Sequence, residues 1–150
     1  MTERTAWIED LHREAASRLG TVGQRYTANR RTLIEVLAEA DRPLTVSAIV
    51  EGRAGLPVSS AYRNLAVLER AGLVRRVLTD EEHGRYELAE ELTDHHHHLV
   101  CSSCGTVEDV TFPPNVERSV GRTLSSVAGR SGFTAVAHRL DVVGLCRACA

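Results

Sequence analysis

Residues 95–104 read His-His-His-His-Leu-Val-Cys-Ser-Ser-Cys, and a second C-x-x-C pair, Cys146-Arg147-Ala148-Cys149, lies far downstream. Of the 4 cysteines in the chain, none falls outside these two pairs. Two C-x-x-C pairs are the ligand set of a tetrahedral all-thiolate zinc site, because a tight turn brings each pair of thiolates within chelating reach. The interval between Cys104 and Cys146 is longer than in a compact zinc finger. Such a site therefore staples the end of a small domain to its beginning. Cys101, Cys104, Cys146 and Cys149 are the expected structural zinc ligands.

The four histidines cannot all serve that ion. If His95–Cys101 is extended, successive side chains point to opposite faces. His95 and His97 then share one face, and His96 and His98 share the other, so two imidazole pairs feed two further sites. Each pair needs more ligands. Glu87, Glu90, Glu91, Glu108, Asp109 and Glu117 are the carboxylates near in sequence or across a sheet. The isolated His138 falls in step with Val136, Leu140 and Val142 on an expected strand, and the histidine cluster makes it a candidate ligand.

Residues 5–19 place Trp7, Leu11, Ala15 and Leu19 at helical steps, and Gly20 to Gly23 end that helix. Thr27 is the natural cap of a second helix, with Leu33, Ile34, Leu37 and Ala40 inward. A third short helix is expected over Thr45–Arg53. A fourth starts near Ser59, turns Ala61, Leu65 and Leu68 inward, and stops at Gly72. Leu73–Leu78 and Arg85–Leu88 flank the polar turn Thr79–Gly84 as a hairpin. Helices two to four with that hairpin make a winged helix-turn-helix. Its fourth helix presents Ser59, Ser60, Tyr62, Arg63 and Arg70 outward, where a recognition helix meets the major groove. Arg63 can fork onto guanine, and Tyr62 can meet a thymine methyl or a phosphate. Beyond 89–94, read as a hinge, come strands at His95–Cys101 and Thr106–Val110. A helix from Val116 to Ala128 with a Val116, Val120, Leu124, Val127 stripe follows, then a strand over Phe133–Leu145. The fold class is α+β: a winged-helix DNA-binding domain (1–88), a hinge (89–94) and a small α/β dimerisation domain (95–150) with a four-cysteine zinc site.

Composition sets the boundaries. With 150 residues, 43% hydrophobic and only 4% aromatic, the cores must come from Leu, Val, Ala and Ile, and a structural metal helps so thin a core. The formal charge of -2 gives no global nucleic-acid signature. Residues 1–88 are themselves neutral, with 13 Arg against 13 acidic side chains, so a DNA-binding patch must come from arrangement. One such face binds modestly, and a symmetric dimer doubles the contacts. No stretch approaches the roughly 20 apolar residues of a membrane span, and no signal peptide opens the chain. A cytoplasmic, reducing location is expected, where paired cysteines hold metal rather than form disulfides. A zinc-dependent hydrolase and a metal store are the rival classes. No H-E-x-x-H and no nucleophile–base pair favour the first, and the winged helix argues against the second.

These residues together resemble the ferric uptake regulator (Fur) family of bacterial metal-sensing repressors. Gly23-Gln24-Arg25-Tyr26-Thr27-Ala28-Asn29-Arg30 is similar to the family's entry to the winged helix. Ser59-Ser60-Ala61-Tyr62-Arg63-Asn64-Leu65 is similar to its recognition helix, and residues 95–105 with Cys146–Cys149 match its metal-binding half. The resemblance implies a homodimer that grips a palindromic double-stranded operator when a metal effector is bound, with no membrane partner. It implies that Arg25 reaches the minor groove, and Tyr62 and Arg63 the major groove. It implies a sensing site of His96, His98, Asp109 and a carboxylate after the wing; Glu87 fits, with Glu90 and Glu91 as alternatives. It implies a third site of His95, His97, Glu117 and His138. The structural ion is Zn2+. The regulatory ion is Fe2+, Zn2+ or Mn2+, since the ligands are nitrogen and oxygen. A peroxide-sensing regulator is the alternative within the family. Two departures stand out: no histidine precedes Thr45-Val46-Ser47-Ala48, where many members place a sensing ligand, and no cysteine remains for a sensing site.

Overall fold

Threonines start three of the helices in the first half of the chain. Thr2 caps α1 (Glu3–Thr21), Thr27 caps α2 (Ala28–Glu39) and Thr45 caps α3 (Val46–Val50). In each case the hydroxyl oxygen accepts the backbone N–H three residues on, at 3.3, 3.4 and 3.2 Å, which satisfies one orphan donor of the first turn. The computed structural model describes residues 2–51, 53, 55–77 and 84–150. They form two compact units, 1–94 and 95–150.

In the first unit α4 (Val58–Arg70) follows α3, and the chain then turns into β2 (Val74–Val77) and β3 (Arg85–Leu88). The expected hairpin turn at 79–84 lies, except for Gly84, outside the described residues. The two strands pair antiparallel, with Val74 opposite Leu88 and Val77 opposite Arg85. A two-residue strand not anticipated from sequence, β1 (Leu44–Thr45), pairs with β3 and gives the order β1-β3-β2. The third helix is shorter than expected at both ends: Thr45 belongs to β1 and caps the helix, which stops at Val50. Leu11, Ala15, Leu19, Leu33, Ile34, Ile49, Ala61, Leu65, Leu68 and Leu73 form one continuous buried cluster. All of these except Leu73 lie on helices, and those of α1, α2 and α4 are the inward positions that the helical spacing picks out. This is a winged helix-turn-helix. Residues 89–94 carry one 3-10 turn, Glu90–Leu92, and the Ala89 N–H bonds the Leu73 carbonyl at 2.9 Å.

The second unit is a three-stranded sheet in the order β5-β4-β6, with one helix. β4 (His97–Cys101) runs antiparallel to β5 (Val107–Val110) and parallel to β6 (Asp141–Gly144). A parallel neighbour requires a crossover, which α5 (Pro114–Arg130) supplies. Two sequence expectations are corrected here. The strand begins at His97, so His95 and His96 precede the ladder. The last strand covers only Asp141–Gly144, and Val136, expected on its apolar face, is 94% exposed. The apolar stripe of α5 is real in sequence, yet none of the helix's residues is buried in the chain. Periodicity shows that a stripe exists, not that the same chain covers it.

Candidate metal centres

Each cysteine pair sits at a turn. After Cys101 the chain reverses, with the Gly105 N–H bonded to the Cys101 carbonyl at 2.9 Å. Gly105 takes φ 71°, a left-handed conformation that glycine adopts without cost. The second pair closes similarly through Cys149 N–H to Cys146 O at 2.9 Å. The four sulfurs lie within 4.8 Å of one another and form no disulfide. Cys104 and Cys146 are 3.7 Å apart at sulfur. The edge of a tetrahedron with Zn–S near 2.3 Å is about 3.8 Å. The Cys146 N–H also points at the Cys101 sulfur from 3.3 Å. Backbone N–H groups of Cys104 and Cys146 draw the Cys101 thiol down to about 6, which favours the thiolate a metal needs. This four-thiol cluster fits a structural zinc.

The four histidines separate by parity even though only His97 and His98 lie within the ladder. His95 and His97 pack edge-on with ring centres 4.7 Å apart, and His96 and His98 do so at 5.2 Å. On the first face Glu117, in the opening turn of α5, is the hub. Its carboxylate oxygens lie 3.0 Å from His95 Nε2, 2.9 Å from His97 Nε2 and 2.7 Å from His138 Nε2. Hydrogen bonding from His97 holds the Glu117 carboxyl below the usual carboxylate range, so it is an anion at neutral pH. His138 Nε2 is buried and, despite that proximity, finds no hydrogen-bond partner. Three imidazole nitrogens gathered on one carboxylate are the donor types of a nitrogen–oxygen metal site. All four residues offer ligand atoms within 4.8 Å of one another. His138 reaches this cluster from the irregular segment before β6, not from a strand face as its spacing suggested.

On the opposite face Asp109 lies directly across from His98 in the β4–β5 ladder. Its carboxylate is 3.7 Å from His98 Nε2 and 3.9 Å from His96 Nε2. These separations exceed a hydrogen bond and suit three donors around a common ion about 2 Å from each. His98 has a further partner that sequence reasoning missed: Asp141 Oδ1, 3.1 Å from Nδ1. Asp141 is 43 residues away, and only the parallel register reveals the pairing. Glu87 lies in the first unit, buried on β3 and ion-paired with Arg75 from β2. The same guanidinium lies 3.6 Å from Glu90, while Glu91 is exposed. Arg75 is a second residue that no sequence signal singled out.

In the first unit the outward side chains of α4 are available to a ligand. Tyr62 is 45% exposed, and Ser59, Arg63 and Arg70 are exposed, with Ser60 half-buried. Arg25 is exposed too, in the segment leading to α2. Arg30 ties that segment to α4. Its guanidinium donates to the Arg25 carbonyl at 2.6 Å, to Gln24 Oε1 at 3.0 Å and to Asn64 Oδ1 at 2.9 Å. Arg25 and the α4 face are thus held in one rigid frame.

The model of the Ferric uptake regulator family matches residues 21–143. The chain is 27% identical over 141 residues to the peroxide operon regulator of Bacillus subtilis, spanning 91% of this chain and 92% of that protein. It is 28% identical over 141 residues to the ferric uptake regulation protein of Legionella pneumophila, spanning 91% and 98%. In fold it is similar to the ferric uptake regulator of Helicobacter pylori, with a TM-score of 0.73 at 20% identity, over 95% of this chain and 93% of that one.

Proposed function

The chain belongs to the Ferric uptake regulator family of metal-responsive transcription regulators, and from that premise we propose how its residues do the work. The first unit reads double-stranded DNA, with Ser59, Ser60, Tyr62 and Arg63 in the major groove and Arg25 in the minor groove. The second unit holds a structural zinc at Cys101, Cys104, Cys146 and Cys149. A sensing ion, Fe2+, Zn2+ or Mn2+, sits at His96, His98 and Asp109, with Glu87 as the ligand contributed by the first unit. A third ion sits at His95, His97, Glu117 and His138. One observation carries this reading: neighbouring histidines of the run 95–98 sort into two clusters beside a third made of four thiols. Three functional metal-binding sites belong to the Helicobacter pylori protein as well.

A homodimer is the assembly. Val142, Val143 and Leu145 on and beside β6 are 54%, 62% and 57% exposed, and on the apolar stripe of α5 Val116 and Val127 are exposed too. A second copy of this unit is the partner that removes that surface from water. Two reading heads then face a palindromic operator at one fixed spacing.

The bound ion supplies a coordination geometry that only one placement of its ligands satisfies. His98 and Asp109 are register partners in the sheet and His96 just precedes it, whereas Glu87 belongs to the first unit, where Arg75 is its ion-pair partner. Residues 89–94 are the hinge between the two sets of ligands. The ion favours DNA binding only by its differential affinity for that closed placement. Among the described residues, no helix is long and apolar enough to cross a membrane. The family match lends nothing to the hydrolase reading.

The test is fluorescence anisotropy on a palindromic duplex selected from a random pool. Sensing ion is added to protein that retains its thiolate-bound zinc. Affinity should rise at least about fivefold, the lower end of typical coupling between sites. Equal affinity with and without the ion removes the switch. Arg63→Ala should abolish preference for the selected duplex while leaving zinc content and dimer mass unchanged. The chain is about as similar to a peroxide regulator as to an iron regulator, at 27% and 28%. Exposing Fe2+-loaded protein to hydrogen peroxide, with a Mn2+-loaded control, separates these signals.

A further inference from the structure

His98 uses both ring nitrogens, and the sensing ligands account for one. The ring is 5% exposed, so its hydrogen-bond partners are protein groups rather than bulk water. Nε2 faces Asp109 at 3.7 Å, and Nδ1 is held by Asp141 Oδ1 at 3.1 Å. Asp141 is placed there by backbone, not by chance. β6 runs parallel to β4 with Asp141 as the register partner of His98, so the two side chains project on the same face. The ladder begins at that step, with the His98 N–H donating to the Leu140 carbonyl at 3.2 Å.

We propose that Asp141 is a positioning residue for the sensing ion: it accepts the Nδ1–H of His98, fixes the ring's tautomer and angle, and so presents the Nε2 lone pair to the metal. A carboxylate at Nδ1 requires the proton on that nitrogen, since two acceptors cannot face each other. The opposite nitrogen is then the ligand atom, and the nearby negative charge raises its basicity. The histidine on the other face of the strand lacks this device: His97 Nδ1 is buried with no hydrogen-bond partner. Two sites on one strand thus differ in how tightly their central imidazole is oriented. The arrangement also ties the sensing site to β6, the strand whose exposed apolar residues continue the sheet outward. This inference rests on the reading of His96, His98 and Asp109 as the sensing site.

The experiment uses the full chain with its thiolate-bound zinc retained and Co2+ alone as the probe. Co2+ affinity is measured by competition with a chromophoric chelator, and the d–d absorption of the bound ion is recorded. Asp141→Ala should weaken the His96/His98 site about 10- to 100-fold, the usual cost of removing an outer partner of a histidine ligand. Asp141→Glu should restore most of that loss. Zinc content, melting temperature and Co2+ bound at the His95/His97 face should stay unchanged. Long-range 1H–15N spectra of the wild type without sensing ion should show His98 as the Nδ1–H tautomer, a readout that needs no variant to fold. Wild-type Co2+ affinity in Asp141→Ala, or an Nε2–H tautomer in the wild type, overturns the proposal. If His96→Ala/His98→Ala binds as many Co2+ ions as the wild type, the sensing-site reading beneath it falls instead, and the role of Asp141 falls with it.

Discussion

The two units of this chain are held together by different chemistry. In the first, side chains from four helices and the sheet, Leu19, Leu33, Ile34, Ile49, Leu65, Leu68 and Leu73 among them, are fully buried in one hydrocarbon cluster. In the second, the buried side chains are Val100, Cys101, Val107, His97 and His98, so three of five belong to the clusters that could hold a metal ion. A domain of that size rarely stands on so few apolar contacts. On the proposed function, bound ions take the place of a core in the second unit, and apolar area supplies it in the first. That division suits a sensor: the part that responds to metal is the part that depends on it.

The largest effect should come from breaking the thiolate cluster. Replacing Cys101 and Cys104 by Ser, or stripping zinc with a strong chelator, removes a contribution of about 10 kcal/mol or more. Hydrogen exchange should then show residues 95–150 unprotected while α1, α2 and α4 keep their slow amides. Loss of protection in both units together would show that the division is wrong. Next in size, Leu65→Ala should cost the first unit about 2–5 kcal/mol, read as a lower denaturant midpoint for α1 to α4 with zinc content unchanged. Zinc loss in that variant would show that the units share one core.

The smallest effect sharpens the comparison inside the first unit. His12 is a buried titratable group there: Nδ1 meets the Tyr26 hydroxyl at 2.6 Å and Nε2 lies 3.3 Å from Glu35, with Arg31 paired to Glu35. Burial, then the nearby Arg31 charge, lowers the His12 pKa below 6.5. A lowered histidine stays neutral in the fold while the unfolded chain takes up a proton. Its stabilising contribution is therefore full above pH 6.5 and fades as pH falls from there toward the folded value. Urea titrations of the first unit's signals should show this slope, and His12→Gln should flatten it. An unchanged slope in His12→Gln would assign the pH dependence elsewhere.

What the sequence revealed was local. C-x-x-C spacing, alternation along an extended run and helical spacing are all short-range, so Cys101–Cys104, the histidine pairs and Leu33, Leu65 and Leu68 could be read directly. What it hid was long-range or small. β1 is two residues long and exists only because β3 is beside it. Asp141 is remote from His98 until a crossover makes their strands parallel. Arg75 looks like any outward arginine of a hairpin, yet it is 9% exposed and holds Glu87. The α5 stripe was legible as apolar, but not what covers it, because periodicity carries no information on which molecule covers a face.

The central claim is that odd and even histidines of the run 95–98 serve different ions. Native mass spectrometry after loading with excess Zn2+ tests it directly on the wild type, His95→Ala/His97→Ala and His96→Ala/His98→Ala. Three ions per protomer are expected for the wild type, and each double variant should lose one while keeping the other two. A wild type that binds only the thiolate ion, or two double variants that lose the same ion so that the combined variant loses no more, would contradict it.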